Sequence, residues 1–427
     1  MLMLFKQIFN NIIAIGSSDV INKGTFLLFN IIVARNLPVK EYGLFSLSIS
    51  ISIYLWSVAD GGITSHATKM AAQLGKRNLE RIVSFAVPIK LVLSLLTSLV
   101  VGIFLIVLHL SFYESLIYLS AALYLIAMSF FPAWIMRGVQ DNLGYFIVYV
   151  FLSVCAVLFL LFWLSLDFSD KNALSAIVCR NLSWLIGAFL SCFWAIKRLD
   201  LQVEFFAFYF DFKIVKSTYP LCMAAILYSF IPLIPQLVLR FSGLFDALGK
   251  YGAIWQIQRI LLSGALVFSS SFMPMLAKYF IRKDLRFIRK LILSHFIVLF
   301  FTTLLIFILY NIYGLKIVNI LYGKIYSIPR ELLFIFSLVL LIVFFRASID
   351  SILIVCGRYM LMAVNGLVVI VSMIILSFIL KNASIIESGL IYFVGELLLL
   401  VFNLFLVLKT LKYKIRSLNN ENIKSNS

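Results

Sequence analysis

The sequence predicts an all-α, multi-pass membrane protein with about twelve transmembrane helices in two six-helix lobes around a central cavity. Its composition is the first observation behind this prediction. Hydrophobic residues make up 63% of the 427 residues, charged residues make up 13%, and the mean hydropathy is +1.08. Soluble domains are about 45–50% apolar and about 25% charged, and a soluble core of this size cannot hide so much apolar surface.

The length of the apolar runs is the second observation. A hydrocarbon core about 30 Å thick requires about 20 helical residues, and runs this long lack the alternation that barrel strands show. Twelve runs satisfy this rule, at roughly residues 12–34, 43–66, 83–107, 115–136, 143–166, 173–196, 214–239, 251–276, 290–312, 331–356, 360–380 and 388–408.

The distribution of Lys and Arg predicts the orientation of these spans. The chain has 36 basic and 18 acidic residues, a net charge of +18. The even-numbered loops and both tails hold 22 of the basic residues, whereas the odd-numbered loops hold 9. Because cytoplasmic loops collect Lys and Arg, we expect both termini and the even-numbered loops in the cytoplasm. The positive charge therefore does not predict a nucleic-acid partner.

A weak internal repeat is the third observation. The Tyr42-Gly43 and Tyr251-Gly252 pairs follow the first and seventh spans and lie 209 residues apart. Arg137-Gly138 and Gly357-Arg358 follow the fourth span of each half. Parallel repeats of this kind build transporters with a site between lobes. The predicted divisions are an N-terminal lobe at 1–205, a C-terminal lobe at 206–412 and a polar, disordered cytoplasmic tail at 413–427.

Five cations lie inside predicted spans, where a Lys or Arg at the helix centre costs about 2.5–3.5 kcal/mol. We expect them to face protein or a water-filled interior that binds an anionic substrate, because the planar guanidinium suits phosphate. The alternative is that the i,i+4 pairs Asp19–Lys23 and Arg346–Asp350 only help helices to pack. The predicted substrate-binding cations are Lys23, Lys90, Arg180, Arg259 and Arg346.

Intramembrane acids and prolines complete the set of candidate residues. An acid inside a span is a functional candidate by default, so we expect coupling to a proton or sodium gradient, or to the membrane potential, at Asp19, Asp60, Asp350 and Glu396. Proline removes a backbone hydrogen bond and bends a helix. Three prolines in the seventh span therefore predict a hinge or a static kink there, at Pro220, Pro232 and Pro235.

The sequence carries no pattern typical of an enzyme or a metalloprotein. It lacks a phosphate-binding loop followed by Lys-Ser/Thr, a nucleophile elbow and a paired-carboxylate site. None of its three histidines and five cysteines has a partner at the sequence spacing typical of metal ligands. We therefore expect no catalytic residue, no metal and no cofactor, and transport is the stronger functional class.

Three segments carry a resemblance to a known family. Residues 34–43 read Ala-Arg-Asn-Leu-Pro-Val-Lys-Glu-Tyr-Gly, residues 60–63 read Asp-Gly-Gly-Ile, and residues 249–253 read Gly-Lys-Tyr-Gly-Ala. The first resembles the Ala-Arg-x-Leu-Gly-Pro-x-x-Tyr-Gly stretch of Wzx-type O-antigen flippases, although the Gly before Pro38 is absent. These flippases form the polysaccharide branch of the multidrug/oligosaccharidyl-lipid/polysaccharide (MOP) exporter superfamily.

The resemblance implies a flippase of the bacterial inner membrane. It would move an undecaprenyl-diphosphate-linked oligosaccharide repeat unit, of O-antigen or a similar surface polysaccharide, from the cytoplasmic to the periplasmic leaflet by alternating access. It implies a lipid-linked oligosaccharide and the bilayer as partners, together with a polysaccharide polymerase and a chain-length regulator. Two alternatives stay open. A multidrug exporter of the same superfamily favours an acidic, aromatic cavity, and a membrane O-antigen polymerase or ligase usually needs a long outer loop.

Overall fold

A computed structural model describes residues 2–74, 79–202, 222–281, 285–380 and 384–425. Apart from two short 3-10 turns, the regular structure of these residues is α-helical. The helices are α1 (Leu2–Asn36), α2 (Val39–Asp60), α3 (Ile63–Leu74), α4 (Leu79–Val107), α5 (Phe112–Leu119), α6 (Ala121–Phe130), α7 (Ala133–Gly138), α8 (Asn142–Ser165), α9 (Ala173–Leu199), α10 (222–230), α11 (Ile234–Phe241), α12 (Phe245–Ile281), α13 (Leu285–Tyr322), α14 (Arg330–Val355), α15 (Tyr359–Ile379) and α16 (Ile385–Ser425).

The helices confirm the predicted multi-pass fold class. Ten stretches of the described residues are long and apolar enough to cross a membrane. The other two predicted spans, 12–34 and 251–276, lie within the long helices α1 and α12. Both helices carry polar residues along their length, including Asn22 and Lys23 on α1 and Gln256 and Arg259 on α12.

The exposed faces of the helices are apolar. Along α13 and α4 few of the apolar side chains are buried inside the protein. Exposed side chains on these helices include Phe104, Ile106, Leu293 and Phe301. Soluble proteins rarely expose apolar patches of this extent, so these faces match a hydrocarbon solvent.

The chain forms two compact units, Met1–Cys222 and Met223–Ser427, which we call the N-unit and the C-unit. Helices α1 to α9 contain the first six predicted spans, and α10 to α16 contain the described part of the other six. The predicted lobe boundary at 205/206 falls within 203–221, outside the described residues.

Glycine and proline interrupt predicted spans at defined points. Gly61 closes α2 in the left-handed conformation, with φ of +50°, and Gly62 follows with φ of +77°. Glycine adopts this conformation without the steric cost of a Cβ atom, so the predicted span 43–66 is divided between α2 and α3. In the seventh span a turn at 231–233, which contains Pro232, separates α10 from α11, and Pro235 lies in the first turn of α11. Pro220 lies outside the described residues.

The predicted disorder of the C-terminal tail is wrong for most of its length. Helix α16 runs without a break from Ile385 to Ser425. Once a helix is nucleated, each further residue adds a hydrogen bond at little cost. The apolar part of α16 supplies that nucleus, and the polar residues that follow continue it.

Glu41, next to Tyr42, makes two contacts with residues that are distant in the sequence. Its carboxylate, in the first turn of α2, accepts a hydrogen bond from the Tyr113 hydroxyl at 2.6 Å and from the Ala173 backbone N–H at 2.9 Å. The second contact lies at the N-terminus of α9, where the helix dipole favours negative charge. One acid therefore joins the ends of three helices in the N-unit.

Candidate functional site

The C-unit holds a buried charged group on two helices, α14 and α16. Arg346 and Asp350 form the predicted i,i+4 pair, with Nη1 and Oδ2 3.0 Å apart. Glu396 on α16 approaches the same guanidinium, with its Oε2 2.9 Å from Arg346 Nε. Glu396 is only 2% exposed and Asp350 is buried. The arrangement places one cation between two carboxylates.

Polar side chains from two further helices complete this group. Asn403 donates hydrogen bonds from Nδ2 to Asp350 Oδ1 and to the Tyr228 hydroxyl, each at 2.7 Å. Asn365 on α15 donates to Asn403 Oδ1 at 2.8 Å, and the Arg346 guanidinium lies 5.3 Å from the Tyr228 ring centroid. We call Tyr228, Arg346, Asp350, Glu396, Asn365 and Asn403 the Arg346 network.

The network differs in one respect from the sequence prediction. The spacing predicts Arg346 and Asp350 as neighbours, but it gives no indication that Glu396 and Arg346 meet. With all three ionised, the local charge is negative rather than positive. Burying an unpaired guanidinium is expensive, and this requirement explains the two acids. An asparagine inside an apolar span can form hydrogen bonds between helices. This polar residue type within an apolar run is the sequence signal by which Asn365 and Asn403 could have been found.

Lys90 lies in the N-unit on α4 and is 1% exposed. Its ammonium is 5.0 Å from the Trp56 ring centroid and 5.9 Å from that of Trp134. Asp60, at the end of α2, exerts an attractive electrostatic effect on Lys90. The Asp60 carboxylate itself accepts hydrogen bonds from the Thr64 hydroxyl and backbone N–H. Attraction between the ammonium and the ring faces partly offsets the desolvation of Lys90.

Arg180 lies on α9 and is 2% exposed. It donates a hydrogen bond from Nη1 to Asn181 Oδ1 at 3.0 Å, and its guanidinium lies 5.5 Å from the Phe26 ring centroid and 5.6 Å from that of Tyr124. Asn181 in turn donates to the Ser120 carbonyl at 2.9 Å. The guanidinium is thus held among rings from α1 and α6.

The remaining predicted residues are placed individually. Lys23 on α1 and Arg259 on α12 are half-buried, whereas the side chain of Asp19 lies outside those that the structure describes. The structure brings Arg346, Asp350 and Glu396 together, and Asp60 near Lys90. The single cationic chamber shared by all five cations stays a prediction. No group of three or more His, Cys, Asp or Glu side chains in the described ranges is arranged to hold a metal.

Comparison with known proteins gives the family. Residues 8–280 match the family described as "Polysaccharide biosynthesis protein". No curated protein sequence matches the chain significantly.

Solved structures give the fold. An inward-facing multidrug resistance MATE family transporter of the MOP superfamily superposes with a TM-score of 0.70 at 13% identity, covering 96% of this chain and 99% of its own. The eukaryotic MATE transporter AtDTX14 gives 0.61 at 12% identity, with 97% and 99% coverage. A MOP superfamily transporter from Pyrococcus furiosus, described as having a binding pocket of reversed polarity, gives 0.62 at 13% identity, with 96% and 95% coverage. The chain therefore belongs to the polysaccharide biosynthesis protein family and has the fold of the MOP-superfamily transporters.

Proposed function

We propose that this multi-pass transporter is a flippase for an undecaprenyl-diphosphate-linked oligosaccharide, the repeat unit of O-antigen or a similar surface polysaccharide. It carries the unit from the cytoplasmic to the periplasmic leaflet of the bacterial inner membrane by alternating access. Both termini then lie in the cytoplasm, and the polysaccharide polymerase and chain-length regulator act on the product.

The charge of the buried N-unit residues carries this proposal. Among the described residues of the N-unit, the charged side chains that are fully buried are Lys90 and Arg180, and both are cations. A site for organic cations needs the opposite charge, whereas a diphosphate carries about two negative charges and is stabilised by Lys and Arg. The family match favours the same substrate class over drug export.

The proposed substrate also suits the energetics of the membrane. Moving one negative charge outward from a negative interior gains about 2.3 kcal/mol per 100 mV. Two charges therefore provide a substantial driving force at ordinary potentials. Coupling to protons or sodium at Asp19, Asp60, Asp350 or Glu396 can add to this force but is not required by it.

The experiment is complementation of a strain in which the gene is deleted. We expect Arg180→Ala and Arg259→Ala to abolish surface polysaccharide while the protein stays inserted, and the corresponding Lys variants to restore part of it, because charge remains but the planar fork is lost. Arg289→Gln, at an exposed position on α13, is the matched control and leaves the polysaccharide normal. Normal polysaccharide in both Ala variants contradicts the proposal.

A further inference from the structure

A cavity of about 180 Å³ lies inside the N-unit. Its lining includes Trp56 from α2, Thr64 and Thr68 from α3, Lys90 from α4 and Arg137 from α7. Six helices of the N-unit, α2, α3, α4, α6, α7 and α8, contribute to the lining of this cavity.

The charges of the lining are positive. Lys90 is buried, and in the described part of the chain its ammonium contacts the rings of Trp56 and Trp134 rather than a carboxylate. Arg137 is exposed, and its guanidinium lies 5.6 Å from the Tyr145 ring centroid. None of the described lining residues is acidic. Asp60 lies outside the lining and attracts the Lys90 ammonium.

The remaining walls are aromatic with hydroxyl groups between the rings. Trp56, Trp134 and Phe131 provide apolar ring faces, while Tyr145 and Tyr149 add both rings and hydroxyls. The Tyr145 hydroxyl donates to that of Tyr149 at 3.3 Å, and a hydroxyl that donates one bond still has lone pairs to accept others. Flat apolar faces beside hydroxyl groups complement a sugar ring, which has C–H faces and a polar edge.

The volume restricts the size of the ligand. Pockets for drug-sized molecules occupy about 300–1,000 Å³, and this cavity is smaller. A cavity of this size suits one sugar ring with an attached anionic group rather than a whole oligosaccharide.

We propose that this cavity binds a single hexose bearing a phosphate, with the phosphate contacting Lys90 or Arg137 and the sugar ring lying against Trp56 or Trp134. This inference rests on the proposed function, because it identifies the bound hexose phosphate as the sugar next to the diphosphate of the lipid-linked oligosaccharide. The cavity then binds the sugar phosphate, which is present in every lipid-linked repeat unit, and the rest of the oligosaccharide lies outside it.

The test is direct binding to the purified full-length protein in lipid nanodiscs, measured by calorimetry. The probes are glucose 1-phosphate, galactose 1-phosphate and N-acetylglucosamine 1-phosphate, compared with the free sugars and with inorganic phosphate. At least one sugar phosphate is expected to bind at least tenfold more tightly than either of its parts. Lys90→Gln and Arg137→Gln are each expected to weaken it about tenfold or more, because a charge-assisted contact is lost.

Matched variants separate the contributions of charge and ring. Arg358→Gln removes an exposed cation at the equivalent place in the second half and is expected to leave binding unchanged. Trp56→Leu is expected to weaken the sugar phosphate but not inorganic phosphate. Lys90→Arg keeps the charge and retains binding, which covers the case in which Lys90→Gln fails to assemble.

The outcomes for the cavity and for the flippase are distinguishable. If none of the three sugar phosphates binds, or if Lys90→Gln and Arg137→Gln both bind like wild type, the cavity proposal is overturned, even where the wild-type protein flips a lipid-linked oligosaccharide. If binding depends on Lys90 but no lipid-linked oligosaccharide is flipped, the cavity stands and the proposed function is wrong.

Discussion

Replacing Arg346 with Met is expected to destabilise the C-unit strongly. The guanidinium lies 3.0 Å from Asp350 and 2.9 Å from Glu396. At an effective dielectric constant of about 20, unit charges separated by roughly 3–4 Å attract by about 4–6 kcal/mol. Desolvation cancels much of this attraction in the intact network, but removal of the cation leaves two buried acids without compensation. We therefore expect a loss of about 3–5 kcal/mol in the free energy of unfolding.

A triple variant separates charge compensation from simple packing. In Arg346→Met with Asp350→Asn and Glu396→Gln, no buried charge remains. Replacing a buried ionic group by neutral residues is often neutral or stabilising, so most of the lost stability is expected to return. The assay is unfolding of the purified protein by increasing SDS in mixed micelles, followed by tryptophan fluorescence and circular dichroism. If the single variant is as stable as wild type, or the triple variant is no more stable than the single one, Arg346 does not compensate the charge of these two acids.

Four further predictions concern individual contacts. Asn403→Leu removes a hydrogen-bond donor from Asp350 and is expected to cost about 1–3 kcal/mol of unfolding free energy in the same SDS assay, whereas Leu404→Ala, at an exposed position of the same helix, is expected to cost less. Glu41→Gln keeps a hydrogen-bond acceptor but loses the charge at the α9 N-terminus, and a loss of about 0.3–1 kcal/mol is expected; no loss contradicts that role. The Arg198 guanidinium, with Nε 2.5 Å from Asp141 Oδ2, holds the pKa of that carboxyl below its usual range. The ion pair therefore stabilises the folded protein at pH values above the unfolded pKa, about 3.9, and this stabilisation is lost as the pH falls through the folded pKa. It stays below about 1 kcal/mol because the pair is partly exposed. Asp141→Asn should abolish this part of the loss of stability in acid, measured in the same SDS assay. If Glu396 couples transport to protons, Glu396→Gln removes the dependence of flipping on an imposed pH gradient, and an unchanged dependence eliminates this acid.

Local spacing explains why much of the fold was predictable. Apolar runs of sufficient length determine helices whatever their neighbours are, because a lipid-exposed backbone must satisfy its hydrogen bonds internally. The Arg346–Asp350 pair is also local, since residues four apart lie on one face of a helix. The break at Gly61-Gly62 depends on backbone conformation, and hydropathy alone does not reveal it.

Contacts between distant residues were not predictable from spacing. Glu396 meets Arg346 only because α16 packs against α14, and 50 residues separate the two in the chain. The sequence predicts Arg137 in a cytoplasmic loop after the fourth span, and the structure shows that it lines the N-unit cavity together with Lys90, on the short helix α7 after the break at Pro132. Both cases require the three-dimensional packing of helices that hydropathy treats as independent.

The proposed function requires that the buried cations of the N-unit serve an anionic lipid-linked sugar. The most direct measurement is translocation in proteoliposomes, with a fluorescent undecaprenyl-diphosphate oligosaccharide and a fluorescent organic cation supplied separately to the same preparation. We expect flipping of the oligosaccharide, at a rate that rises when the potential is negative on the side that it leaves, and loss of flipping in Arg180→Ala. Movement of the organic cation with no movement of the oligosaccharide contradicts the claim.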